Sequence, residues 1–331
     1  MLYNTNQFNP TEFFPPSFYE KKAVRRTANR IGFAVLAMFA VMTGWSFAYF
    51  KITTVLGITT EKALALTKEP MFIQALQVVL SLIMSLSPFA VLLKSMYIKA
   101  ERIILFKKPE KGLSAGFIFG GVGYCLFASS AASAAGAIFE NFGISFPEPE
   151  NDLPTGILGF LMVIITTALL PALVEEFAIR GVVLGLLRPF GDGFAIICSS
   201  LVFGFMHAAF LQIPFAFLVG LLLAVVTVKA NSIWPAVAIH ATNNLLSVLF
   251  SYMYLYYEED IVNSVYLVVM CVSFIVSAVI LVAILKRNGE AFKIAPANTA
   301  AAEKKKIMWF ITSPAVLVSF LAALAIAYFL R

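Results

Sequence analysis

The sequence is poor in the residues that soluble proteins turn toward water. Only 13% of its 331 residues are charged and 60% are apolar, whereas a soluble domain has about 25% charged and about 45–50% apolar residues. That shortage excludes the two soluble domains the length would otherwise suggest. Cysteine is scarce too. Cys125, Cys198 and Cys271 each lie inside an apolar run and none is near another, so neither a disulfide framework nor a cysteine metal site is expected and packing is their ordinary role. The first thirty residues lack the early apolar core and small-residue cleavage site of a signal peptide, and the N-terminus is expected to stay in place. There is no long internal repeat and no low-complexity tract. The formal net charge of +6 does not point to nucleic acid, because the positive residues sit in loops beside apolar runs, as membrane topology requires.

What the chain does have is long apolar runs. A membrane span needs about 20 apolar residues, and nine candidates are found, near 31–50, 72–97, 113–138, 156–187, 194–211, 213–229, 233–256, 262–285 and 307–330. The expected fold is all-α, a polytopic transmembrane helical bundle of about eight to nine spans. The expected organisation is a basic N-terminal tail over 1–30 on the membrane surface or disordered, N-terminal transmembrane helices over 31–150, a core over 151–256, and C-terminal transmembrane helices over 257–331. The fourth run is too long for a perpendicular crossing and should tilt, kink near Pro171 or begin outside the hydrocarbon. The third, with Gly116, Gly120, Gly121 and a run of Ala and Ser from Ala128, reads as a close-packing bundle helix.

Loop charge sets the expected orientation. Lys21, Lys22, Arg25, Arg26, Arg30, then Lys99, Arg102, Lys107, Lys108 and Lys111, then Arg188, Lys229 and the cluster from Lys286 to Lys306 fall on one side of a nine-span chain. The other side holds Glu140, Glu148, Glu150 and Asp152, then Glu258, Glu259 and Asp260, with no Lys or Arg in those two loops. The mixed loop 51–71 is the one weak vote. The pattern predicts a multi-pass membrane protein with a cytoplasmic N-terminus and a C-terminus outside.

Ionisable residues inside a span are costly and each requires an explanation. Here they are few: Glu175, Glu176 and Arg180 in the fourth run, His207 in the fifth and His240 in the seventh, the two being the only histidines in the chain. Glu176 and Arg180 are four residues apart, share a helix face and can pair. Glu175 lies about 100° around the helix and is left as the poised carboxylate. Either histidine alone would more often be an interhelical hydrogen-bond partner. Together with Glu175 and Asn244, one turn beyond His240, they suit hydrolysis. A carboxylate and an imidazole can deprotonate water, while a second imidazole and a carboxamide stabilise an oxyanion. Asn243 points elsewhere on the same helix.

Glu-Glu-x-x-x-Arg at 175–180, Phe203-x-x-x-His207 and His240-x-x-x-Asn244, in that order on successive runs, resemble the CAAX protease and bacteriocin-processing (Abi) family, which includes the type II CAAX prenyl endopeptidases. The resemblance covers about 155–250. It implies an intramembrane endopeptidase acting on membrane-associated or lipidated proteins or peptides, with Glu175 and His207 activating water, His240 and Asn244 forming the oxyanion site, and Glu176, Arg180 and Phe203 in support. No cofactor is expected, although Glu175, His207 and His240 form an alternative zinc set. A non-catalytic scaffold or a proton-coupled transporter is the competing reading. Gly191-Asp192-Gly193 resembles an aspartyl-protease pair but reads as a turn.

Overall fold

The computed structural model of the chain describes residues 15–109, 111–144, 152–287, 289–290, 292–294 and 298–329. They form helices and connecting turns, with no strand among the described residues. The first helix, α1 (Pro16–Val55), begins with proline at its first position, where a missing N–H costs nothing. It runs unbroken through the basic cluster from Lys21 to Arg30, which the sequence reading left as surface or disordered chain. Lys and Arg are good helix formers, and nothing in 16–30 stops the helix. Phe13 and Phe14 lie outside the described residues. At 40 residues α1 is about 60 Å long, twice the hydrocarbon thickness of about 30 Å.

A short α2 (Thr60–Leu66) leads to α3 (Pro70–Ser95), which contains a π-helical stretch at Leu82–Leu86. Next come α4 (Lys111–Asn141) and α5 (Gly156–Phe190). After these follow α6 (Asp192–Met206), α7 (Gln212–Ala230), α8 (Trp234–Tyr256) and α9 (Glu259–Arg287), and finally α10 (Glu303–Ile311) and α11 (Pro314–Phe329). Every one of the nine apolar runs carries a helix. Six of the described helices, α1, α3, α4, α5, α7 and α9, are long and apolar enough to cross a membrane. The pair α10–α11, bent by 64° ahead of Pro314, makes a seventh if it is one span. The two runs that fall short are α6, at 15 residues, and α8, whose 23 residues include His240, Asn243 and Asn244. These two helices carry the two histidines.

The core gathers Ile31, Val35 and Met38 of α1, Phe89 and Leu92 of α3, Ile179 and Leu184 of α5, Phe194 of α6 and Phe310 of α10, all buried. Helix α9 lies outside this core, packed on α4 with most of its side chains exposed; in a bilayer those side chains meet lipid. At Gly32 α1 and α11 lie close together, for a Cβ there would fall 2.7 Å from the Ala315 carbonyl oxygen. Backbone cannot swing aside as a side chain can. Gly32→Val is therefore expected to cost about 1–3 kcal/mol, measured as a lower unfolding temperature, whereas Gly44→Val, with nothing within 4 Å of its Cβ, should leave that temperature unchanged.

At one end of the bundle the fully buried Lys306 ties three segments together. Its ammonium donates to the Phe190 carbonyl and to Thr299 Oγ1 (2.7 Å) and lies 3.9 Å from Glu20 of α1. Sequence reasoning counted Lys306 as a loop charge. The turn before α6 matches its reading as a turn: Gly191 has φ +124°, and Asp192 is held by Arg188 at 2.7 Å.

Candidate active site

The α5 helix accommodates its proline without breaking. A π-helical stretch at Ile164–Leu169 precedes Pro171, an α-helical segment Leu170–Glu176 follows, and a second π stretch, Phe177–Val183, begins directly after the two glutamates. The helix runs on past Pro171 as one element with these π stretches on either side of it. Single-turn π segments recur at functional sites, and here two of them bracket the carboxylates.

Glu176 and Arg180 are 0% and 1% exposed and form the pair that their spacing predicts, at 3.0 Å. The same Glu176 oxygen, Oε1, also accepts from Nδ1 of His240 at 2.9 Å. Arg180 reaches further, donating from Nη2 to the Gly220 carbonyl at 3.3 Å and laying its guanidinium 4.2 Å above the Phe203 ring, a cation–π contact. Glu176 Oε2 and Arg180 Nε are buried without a hydrogen-bond partner among the described residues.

Phe203 joins these groups to the second histidine. Its ring meets His207 edge-on at 4.9 Å and His240 edge-on at 5.9 Å. His207 caps the C-terminus of α6 and is followed by Ala208 in the left-handed region at φ +48°, so the helix stops as the imidazole is presented. The His207 Nδ1 contact is the Phe203 carbonyl, at 2.8 Å. A carbonyl only accepts, so Nδ1 carries the proton and the neutral ring keeps a free lone pair on Nε2. A carboxylate partner makes Nδ1 the donor in His240 as well.

Asn244 donates from Nδ2 to the Thr167 carbonyl at 3.1 Å, and its Oδ1 accepts from Asn243 at 3.2 Å. Thr167 lies in the π stretch Ile164–Leu169, four residues before Pro171, so no α-type bond from residue 171 can reach its carbonyl. Proline has no N–H to give, and in a membrane a neighbouring helix can complete such a group. Asn244→Ala is expected to lower the unfolding temperature by removing this interhelical bond. Pro171→Ala, which restores an N–H, should recover much of that loss in the double variant. Additive unfolding temperatures would disprove the link.

Glu175 is half-buried and makes no hydrogen bond or ion pair among the described residues. His207 and Asn244 are also half-buried, in contrast to the sealed Glu176–Arg180 pair. The structure thus brings together Glu176, Arg180, Phe203, His207 and His240. Asn244 stands one turn on from His240, and Glu175 faces another side of α5 from Glu176. No three His, Cys, Asp or Glu side chains are grouped as metal ligands among the described residues. Glu175, His207 and His240 are not grouped as a zinc set among the described residues. What sequence reasoning missed is the bond between Glu176 and His240. Its signal was present, since a buried carboxylate has more lone pairs than one arginine fills.

All-helical, with several membrane-crossing helices and its ionisable side chains gathered inside the bundle, the chain is an integral membrane protein. Residues 157–246 match the family described as Rce1-like, type II CAAX prenyl endopeptidase. The matched stretch, under a third of the chain, includes every residue from Glu175 to Asn244. Comparison with curated proteins gives no match, and comparison with solved structures gives none.

Proposed function

We propose that the protein is an intramembrane endopeptidase that hydrolyses a peptide bond of a membrane-associated or lipidated protein or peptide. Glu175 and His207 deprotonate a water, whose oxygen attacks the scissile carbonyl carbon. His240 and the second Nδ2 proton of Asn244 donate to the oxyanion that forms. The C–N bond then breaks, the bonding pair stays with nitrogen, and the proton taken from water passes to the leaving amine. Donation from His240 Nε2 requires a second proton on that ring, because its Nδ1–H is already given to Glu176, which also pairs with Arg180. Arg180 and Phe203 hold Glu176 and both imidazoles in place. The N-terminus faces the cytoplasm on the loop-charge argument.

The observation that carries this reading is the arrangement of the two imidazoles. Both use Nδ1 for a fixed structural contact and both flank Phe203, so each has Nε2 left for chemistry. A scaffold or transporter would not require two imidazoles anchored through the same nitrogen. The test compares purified full-length protein with its Glu175→Gln variant on lipidated fluorogenic peptides, alongside the membrane peptides of cells that express each. Identical cleavage by both would overturn the assignment.

A further inference from the structure

Away from the candidate active site, a groove of about 400 Å³ runs between α1 and α3. The two helices are antiparallel, with Arg30 and Ser95 at one end and Val41, Ser87 and Pro88 at the other. Arg30 is exposed and forms no ion pair or hydrogen bond among the described residues. It is also the last charge on α1 before Lys51. Below it the α1 wall is made of small residues, Ala34 and Ala37. Phe33 and Val91, both 64% exposed, also line the groove.

Length and charge together decide what fits. From Arg30 to Val41 is eleven residues, or about 16 Å at about 1.5 Å per residue, close to half the hydrocarbon thickness of about 30 Å. The groove is therefore one leaflet deep, with a cation at the headgroup end and apolar walls below. The exposed Lys94 precedes Ser95 at the same end, and Arg26 lies one turn back along α1. Basic pockets between transmembrane helices bind anionic headgroups, and an acyl chain has the shape and apolarity of the remaining slot. We infer that this groove is a binding site for an anionic glycerophospholipid, its phosphate on Arg30 and one acyl chain along Ala34 and Ala37.

The test uses the full chain in detergent with dioleoyl phosphatidylglycerol or dioleoyl phosphatidylcholine added, read by thermal unfolding and by native mass spectrometry of bound lipid. Phosphatidylglycerol should raise the unfolding temperature more than phosphatidylcholine and remain bound at higher collision energy. Arg30→Gln should weaken that retention about fivefold, the effect of one basic side chain at a membrane surface. Ala37→Trp, which fills the slot from an exposed position, should abolish it for either lipid. Lys51→Gln, an exposed charge at the other end of α1, should bind as the parent does. Equal effects of the two lipids, or retention unaltered in both Arg30→Gln and Ala37→Trp, would overturn the site.

Discussion

Glu175→Gln should reduce peptide hydrolysis by about a hundred- to ten-thousandfold, the usual contribution of a positioned general base, while leaving the unfolding temperature where it was. The second half of the expectation is what makes it informative. Glu175 is half-buried and makes no hydrogen bond or ion pair among the described residues, so an isosteric amide breaks neither, and the direct ion pair of Arg180 with Glu176 stays in place. Circular dichroism melting in one detergent, paired with peptidase assays, reads both quantities. A variant that melts much lower than the parent would show that Glu175 supports the bundle, and the base would have to be sought elsewhere.

The glutamate next to it should behave in the opposite way. Glu176→Gln is expected to destabilise the protein by about 3–5 kcal/mol, because it leaves Arg180 as an uncompensated buried charge. Arg180→Gln should cost less. A guanidinium cannot discharge by losing its proton, whereas a carboxylate left without arginine can take up a proton or draw a second one onto His240, which already lies 2.9 Å from it. Melting temperatures of the two variants decide the order. If Arg180→Gln proves the more damaging, the guanidinium's contacts with Gly220 and Phe203 outweigh the ion pair.

The helices were legible because a bilayer demands long apolar runs, and all nine runs appear. Their ends were less so. Charge marks where a helix leaves the hydrocarbon but does not stop the helix itself, which is why α1 starts at Pro16 and not near residue 31. The shortness of α6 was hidden because the apolar run continues past His207 while the backbone turns at Ala208. Within the site, Glu176–Arg180 could be read from spacing on one helix. For Glu176–His240 the spare lone pairs of Glu176 signalled a further partner but not which one, because that depends on how α5 and α8 pack and on π stretches that shift the helical phase. The part played by Phe203 was half visible. Its four-residue spacing from His207 put both on one face, but its contacts with Arg180 and His240 come from other helices.

The link between Pro171, Thr167 and Asn244 places an order on how this sequence can change. As long as residue 171 is proline, a residue at 244 that cannot donate a hydrogen bond removes the interhelical bond to the Thr167 carbonyl and should lower membrane expression. Once 171 has acquired an N–H, the same change at 244 costs far less. Pro171 is thus the permissive site and Asn244 the contingent one. A mutational library selected for membrane expression should recover non-donor residues at 244 chiefly in clones that have already lost the proline.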